Sequence, residues 1–131
     1  MSDRLEFNKG LVKRYLDDGM TENRVAVWSE ILHEDFTFWG VPTSPASGTR
    51  NREQMLEGFG SLFDRIESVN LYIDDMIAEG DRVVVEAHSH CPLKNGKVYE
   101  NDYAFLYKIK DDKIIEMREF LSTEALNILV D

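Results

Sequence analysis

The segment from Val98 to Ser122 constrains the fold more than any other part of the sequence. β-Branched and aromatic residues alternate with polar ones on both sides of a polar break at residues 110–113, which is typical of two long strands joined by a tight turn. Apolar residues occur on both faces of this predicted hairpin, so each face must be covered. We expect helices over one face and another sheet or a second copy of the chain over the other, because an isolated hairpin is not stable in water.

The composition is that of one ordinary globular domain spanning residues 1–131. A chain of 131 residues with 43% hydrophobic content can bury a sizeable core and a pocket. Its formal net charge of -10 disfavours nucleic acid and anionic membranes as partners, because like charges repel. The single cysteine, Cys91, excludes an intramolecular disulfide and fits a reducing compartment. Without a signal core or an apolar run of about 20 residues, we expect a cytoplasmic protein with no membrane segment.

The order of the predicted elements indicates the fold class. Apolar residues recur at helical spacing three times between residues 5 and 66, and Asn51 with Gln54 three residues later is typical of a capping box. From residue 69 onward the period changes to that of strands, and Asp74-Asp75 interrupts its phase as a β-bulge does. Helices followed by long antiparallel strands predict an α+β domain in which the helices cover one face of a curved sheet.

Three motifs give the chain a resemblance to a known superfamily. They are LVKRYL at residues 11–16, the stretch from Glu34-Asp35-Phe36 to Gly48, and the segment from DYAF to DDKIIEMRE at residues 102–119. Over nearly its whole length the sequence resembles the nuclear-transport-factor-2-like superfamily, which includes ketosteroid isomerase, SnoaL-like polyketide cyclases and limonene epoxide hydrolase. The resemblance implies a cone-shaped fold, in which a strongly curved, mostly antiparallel sheet wraps around the N-terminal helices and leaves an apolar pocket. It also implies a homodimer through the outer face of the sheet.

The resemblance to ketosteroid isomerase implies two hydrogen-bond donors but not that enzyme's base. Tyr15 matches a tyrosine that stabilises the oxyanion, and Tyr103 falls near the second donor. Gly40 stands where the isomerase has its aspartate base, so the same isomerisation by the same base is not expected.

The resemblance to limonene epoxide hydrolase is strongest over residues 34–60, but most of its catalytic positions differ. That enzyme needs an arginine between two aspartates. By alignment, Glu86 replaces the arginine, His88 replaces one aspartate and Glu119 stands in for the other. Phe38 and Gly40 replace groups that help to hold the attacking water. Epoxide hydrolysis is therefore disfavoured, and a SnoaL-like pocket of variable chemistry remains.

The same alignment predicts which side chains face the pocket. It places Glu86, His88 and His90 on the pocket face, where i and i+2 side chains point the same way. The neighbouring strands are expected to contribute Asn101, Tyr103, Met117 and Glu119. A bulky apolar wall is expected from Phe38, Met55, Phe59 and Phe63.

These residues suggest a general-base mechanism. A histidine beside a carboxylate can accept a proton near neutral pH while the carboxylate fixes its tautomer. We predict His88 as the base, with Glu119 or Glu86 as its orienting carboxylate. Tyr15 and Tyr103 would then donate hydrogen bonds to a developing oxyanion.

Each of these residues also has a structural interpretation. His88 can belong to a surface ion pair, and Tyr15 and the apolar wall can be plain core. A buried Glu119 is costly unless it is paired or protonated, which favours a functional role. His88, His90 and Glu119 can also be considered as metal ligands, but the sequence supplies no clear further ligand. We predict neither a metal nor a cofactor.

The favoured hypothesis is acid/base catalysis on a small apolar carbonyl or hydroxyl compound, of the isomerase, cyclase or dehydratase type. Two alternatives stay open. The domain can hold an apolar ligand without turnover, or it can be an interaction domain whose outer sheet, with Val83, Val85 and Ala87, pairs with a copy of itself or with another protein.

Overall fold

Four helices and six strands make up the structure, a computed structural model that describes residues 2–42, 44 and 47–130. The helices are α1 (Ser2–Asp18), α2 (Arg24–Ile31), α3 (Arg52–Phe63) and α4 (Asn127–Val130). The strands are β1 (Leu32–Gly40), β2 (Gly48–Asn51), β3 (Leu71–Glu79), β4 (Arg82–Pro92), β5 (Val98–Lys110) and β6 (Lys113–Leu121). This order of elements confirms the predicted α+β class.

The strands form one curled sheet in the order β2-β1-β6-β5-β4-β3. β1 and β6 are parallel, and the other neighbouring pairs are antiparallel, so the sheet is mostly antiparallel as predicted. The register of β3 against β4 shifts between Ile73 and Asp75, which confirms the bulge predicted there. Below, the inner face of the sheet is the side that carries the buried core beneath the helices, and the outer face is the opposite side.

The predicted hairpin is the pair β5–β6. Lys110 pairs with Lys113, and the two residues between them, Asp111 and Asp112, have φ angles of 53° and 63°. Two successive left-handed residues are what a type I′ turn requires, and aspartate tolerates that conformation better than most residues. The turn therefore has the twist that long, paired antiparallel strands need.

A capping box begins α3, as predicted. The Asn51 side chain accepts a hydrogen bond from the Gln54 backbone N–H at 2.8 Å, and the Asn51 N–H donates to Gln54 Oε1 at 2.9 Å. These reciprocal bonds satisfy two backbone donors that the first turn leaves unpaired. The helix starts where it can direct Phe59 and Phe63 towards the sheet.

Strand β4 shows which residues face the core. Its odd-numbered residues from Val83 to Cys91 are buried, and its even-numbered residues are exposed or partly exposed. Val83, Val85 and Ala87 are at most 3% exposed, so the prediction that they form an outer interaction surface is wrong. Ala87 pairs directly with Tyr103, and directly opposed residues share one face of a sheet. The parity that the superfamily resemblance implies for this strand is therefore wrong, and a change of parity reverses every side chain.

Candidate functional site

A cavity of about 150 Å³ lies between α1, α3 and the inner face of the sheet. Most of its wall is apolar and includes Leu16, Met20, Phe59, Phe63, Ile66, Leu71, Phe105, Met117, Leu121 and Leu129. Polar groups in the wall come from Tyr15, Ser44, Ser89, Tyr99, Tyr103 and Glu119. An engineered apolar cavity of about 150 Å³ accommodates benzene, so this space suits a molecule with one ring.

Glu119 supplies the carboxyl group of this wall. It lies in β6 directly opposite Phe105 in β5. Within residues 2–42, 44 and 47–130, no hydrogen bond or ion pair involves its carboxyl group. Burial raises the pKa of Glu119 to about 7, because apolar surroundings disfavour the charged form. Near neutral pH, Glu119 is therefore present in both its protonated and its ionised form.

Several tyrosines lie close enough to Glu119 for its negative charge to raise their pKa values. Burial raises the pKa of Tyr99 to about 12, and burial likewise raises the pKa of Tyr15 and Tyr103. In each case the Glu119 carboxylate adds to the effect. These phenols stay protonated at neutral pH and can act as hydrogen-bond donors. The Tyr15 hydroxyl is buried and has no hydrogen-bond partner among the described residues.

A chain of hydrogen bonds crosses the inner face from β5 to β4. Asn101 Nδ2 donates to the Tyr99 hydroxyl at 2.8 Å. The Tyr99 and Tyr103 hydroxyl oxygens are 2.9 Å apart, and Tyr103 lies 2.8 Å from Ser89 Oγ. All three hydroxyl groups belong to residues that line the cavity. The apolar cavity therefore has one polar strip along its sheet side, beside Glu119.

Six of the predicted site residues meet at this cavity: Tyr15, Tyr103, Glu119, Phe59, Phe63 and Met117. Phe38 and Met55 are fully buried in the core, where the Phe38 ring packs edge-on against Phe59 with centroids 5.7 Å apart. Asn101 is 6% exposed and reaches the cavity through Tyr99. The structure thus brings together six of the predicted residues, from α1, α3, β5 and β6, and leaves Phe38, Met55 and Asn101 outside the cavity wall.

The residues predicted from β4 lie elsewhere. His88 is on the outer face, where Nδ1 is 2.9 Å from Asp74 Oδ2 and the ring stacks on Tyr72 with centroids 5.1 Å apart. His90 Nδ1 is 3.2 Å from Glu100 on the same face.

Glu86, which pairs with Ala104, is also exposed on this face. The prediction that Glu86, His88 and His90 line the pocket is wrong. Alternate residues of a strand face opposite sides of the sheet, and the observed register places these three on the outer face. The proposed pairing of His88 with Glu119 fails for the same reason.

Sequence reasoning missed Ser89 and Tyr99. The signal was present in β4, where the apolar residues Val83, Val85, Ala87 and Cys91 share one parity and the charged or titratable residues share the other. This alternation identifies the inner face without any alignment. Ser89 is odd-numbered like the buried residues of β4, so it faces the core. Tyr99 of β5 pairs with the buried Cys91 and therefore lies on the same face.

The metal alternative also fails on geometry. Glu119 lies on the inner face, while His88 and His90 lie on the outer face, so the three cannot share one ion. In the part of the chain that the structure describes, no three side chains of His, Cys, Asp and Glu are grouped to hold a metal ion.

None of the helices described here combines the length and the apolar character needed to cross a membrane.

The fold and the cavity define a class of protein: a small α+β domain whose curled sheet and helices enclose an apolar chamber. A family model described as a SnoaL-like domain matches residues 12–117. The chain belongs to this SnoaL-like family.

Solved structures agree with this assignment at the level of the fold. A candidate SnoaL-like polyketide cyclase from Jannaschia sp. CCS1 has a TM-score of 0.79 at 22% identity, with 93% of this chain and 90% of that chain covered. An NTF2-like protein of unknown function from Burkholderia pseudomallei K96243 has a TM-score of 0.81 at 14% identity, with coverage of 95% and 97%. IdmH, a candidate polyketide cyclase from Streptomyces antibioticus, has a TM-score of 0.78 at 13% identity, with coverage of 94% and 97%. A comparison with curated proteins found no match.

Proposed function

We propose that this protein binds a small, largely apolar carbonyl or hydroxyl compound in the cavity and acts on it by acid/base catalysis, with Glu119 as the group that takes and returns the proton. One observation carries the proposal. A carboxyl group that has no hydrogen-bond or ion-pair partner among the described residues lies in a mainly apolar wall, where burial raises its pKa to about 7. A buried carboxylate is costly for a fold to keep, and a pKa near the working pH is what a general base needs.

The neighbouring hydroxyl groups supply the second half of the chemistry. Glu119 pairs with Phe105, and Tyr103 is two residues away from Phe105 on the same face. Diagonal neighbours of this kind are about 7–8 Å apart, a distance that a single ring with one oxygen can span. The Tyr103 hydroxyl can therefore donate to a ligand oxygen while Glu119 reaches a proton on the same molecule.

Glu119 and a tyrosine hydroxyl can together carry out the complete proton transfer. Ionised Glu119 takes a proton from the carbon next to a ketone, and the electron pair of that C–H bond moves towards the carbonyl carbon. The carbonyl oxygen becomes the enolate oxygen, which a tyrosine hydroxyl stabilises by a hydrogen bond. Protonated Glu119 then returns the proton to the same carbon or to a conjugated one. The same steps serve isomerisation, and they initiate aldol-type cyclisation or dehydration.

The names of similar proteins support the reaction class but not the substrate. Two of the structural neighbours are described as candidate polyketide cyclases, and both share less than a quarter of their residues with this chain. The epoxide-hydrolase alternative loses support, because the residues aligned with its charged groups in β4 face solvent.

The test is hydrogen–deuterium exchange at the carbon next to the carbonyl in single-ring ketones such as acetophenone and cyclohexenone, followed by proton NMR in D₂O. We expect the wild-type protein to accelerate exchange and Glu119→Gln to lose at least about 100-fold of that acceleration. The matched control is His88→Ala, which should exchange like the wild type. Loss of exchange in His88→Ala with full activity in Glu119→Gln would overturn the assignment. Thermal stabilisation by these ketones without any exchange would favour a binding protein without turnover.

We also propose that two copies of the chain pair through the outer face of the sheet. Apolar side chains gather there, with Val84 38% exposed and Leu106 in the next strand. The Arg118 guanidinium lies 4.3 Å from the centre of the Trp39 ring and 5.6 Å from that of Phe120, which extends this patch. Sedimentation should give a dimer for the wild type and a monomer for Leu106→Glu. A wild-type monomer at high concentration would contradict the pairing.

A further inference from the structure

The polar strip beside Glu119 contains a feature that deepens the proposed function, on which the following inference rests. Asn101 is 6% exposed, and its side-chain oxygen accepts two backbone hydrogen bonds, from Asp102 N at 2.8 Å and from Ser122 N at 3.0 Å. Its Nδ2 donates to Ser122 O at 3.0 Å and to the Tyr99 hydroxyl at 2.8 Å. A flipped amide would point its N–H groups at two N–H donors, so the orientation of Asn101 is fixed.

The fixed amide determines the direction of the hydroxyl chain. The Tyr99 hydroxyl oxygen must accept a hydrogen bond from Asn101 Nδ2. The hydroxyl hydrogen of Tyr99 therefore points away from Asn101. The three hydroxyl groups of Tyr99, Tyr103 and Ser89 carry three hydrogens, but only two contacts join them. Whichever way those two contacts are oriented, one hydroxyl hydrogen has no acceptor among these three hydroxyl groups.

The unused hydrogen is available to a ligand. All three residues line the cavity, whose wall is otherwise mainly apolar. The Cys91 thiol beside Ser89 can accept a hydrogen bond, but sulfur is a weak acceptor and a carbonyl oxygen competes well with it. We infer that the Asn101–Tyr99–Tyr103–Ser89 chain is a hydrogen-bond donor for a ligand oxygen, and that Asn101 is the positioning residue that makes it a donor. The pocket therefore selects a single-ring compound with an acceptor oxygen over an equally shaped hydrocarbon.

A pair of probes with the same shape tests the donor. Acetophenone carries a carbonyl oxygen, and α-methylstyrene carries a CH₂ group in its place. We expect the wild-type protein to bind acetophenone about tenfold more tightly in calorimetric titrations, the difference that one hydrogen bond makes. Equal affinities would overturn the donor while leaving the proposed function intact. If neither probe binds, the proposed function fails and this inference fails with it.

Asn101→Asp tests the positioning role. An aspartate keeps the oxygen that receives the two backbone N–H groups, but it offers Tyr99 an acceptor instead of a donor. All three hydroxyl hydrogens can then be used inside the hydroxyl chain, so the preference for acetophenone should fall severalfold. Asp102→Asn changes the neighbouring exposed side chain on the outer face and should keep the tenfold preference. A preference that persists in Asn101→Asp would overturn the role of Asn101.

A double variant tests whether the lost preference comes from the reversed hydrogen bond to Tyr99 or from a general loss of structure. In Asn101→Asp combined with Tyr99→Phe, the aspartate no longer reaches the remaining hydroxyl groups, so the preference for acetophenone should return. Failure to return in a folded protein would contradict the inference. If Asn101→Asp does not fold, the infrared carbonyl stretch of acetophenone bound to the wild type decides the donor. We expect a frequency below that in hexane, and the hexane frequency would count against it.

Discussion

The two faces of strands β4 to β6 carry the same kinds of side chain with opposite consequences. On the outer face, His88 and Asp74 meet at 2.9 Å, but their side chains are 45% and 49% exposed. On the inner face, Glu119 has no such partner among the described residues, and burial raises its pKa to about 7. A histidine beside a carboxylate looks like a catalytic pair in a sequence, but burial is what prepares a group for proton transfer.

Solvent explains the difference. Water and salt screen the outer pair, so its attraction contributes at most about 1 kcal/mol to stability. The apolar surroundings of the inner carboxyl group disfavour its charged form, which raises its affinity for a proton. Substitutions on the two faces should therefore differ in their effect on stability.

Asn101→Ala on the inner face should have the largest effect on folding. It leaves the N–H groups of Asp102 and Ser122 and the Ser122 carbonyl without their partner, so the free energy of unfolding should fall by about 3 kcal/mol or more. Chemical denaturation measures the change. Asp102→Ala, one residue away on the outer face, should stay within about 0.5 kcal/mol of the wild type. Similar losses in the two variants would remove the distinction between the faces.

Glu119→Gln should change how stability depends on pH. The pKa of Glu119 is 4.5 in an exposed chain and about 7 in the folded protein, so the folded state binds more protons between these values. The free energy of unfolding should therefore fall as pH rises through this window, by at most about 3 kcal/mol at 1.36 kcal/mol per tenfold change in proton affinity. The free energy of unfolding of Glu119→Gln should not fall in this window. The variant should therefore become more stable relative to the wild type as the pH rises towards 8.

Denaturation curves at several pH values measure this effect. Glu86→Gln, which removes an exposed carboxylate from the outer face, is the matched control. A constant difference between Glu119→Gln and the wild type from pH 4 to pH 8 would contradict the raised pKa.

His88→Ala should have the smallest effect. The exposed pair with Asp74 and the stacking on Tyr72 together should cost about 1 kcal/mol or less. The loss should shrink further in high salt, because exposed charges are screened. Thermal unfolding at low and high ionic strength measures it, and a loss above about 3 kcal/mol would show that the outer face around His88 is not solvated.

Local signals predicted much of this fold. The alternation in β5 and β6, the capping box at Asn51 and the bulge at Asp74-Asp75 each depend on a few neighbouring residues, and all were correct. The cavity residues Tyr15, Tyr103 and Glu119 came from the resemblance to a known superfamily. Their meeting in space is a property of packing that no single segment encodes.

The site was only partly predictable, because pairing between strands decides it. The predicted role of His88 depends on the wrong parity for β4, and a shift of one residue reverses a strand's faces. The alternation of Val83, Val85 and Ala87 with Glu86 and His88 already indicated the correct parity. The hydroxyl chain could not be predicted from the sequence, because the contact between Ser89 and Tyr103 depends on the register of β4 against β5.

A pH titration of the glutamate side-chain carboxyl carbons by ¹³C NMR would show directly whether Glu119 keeps its proton near neutral pH. Comparison with Glu119→Gln assigns the resonance of Glu119, and no ligand is needed. We predict that the Glu119 carboxyl group titrates with a pKa of about 7. Titration near 4.5 would contradict it, because the inner carboxyl group would then be as well solvated as those on the outer face.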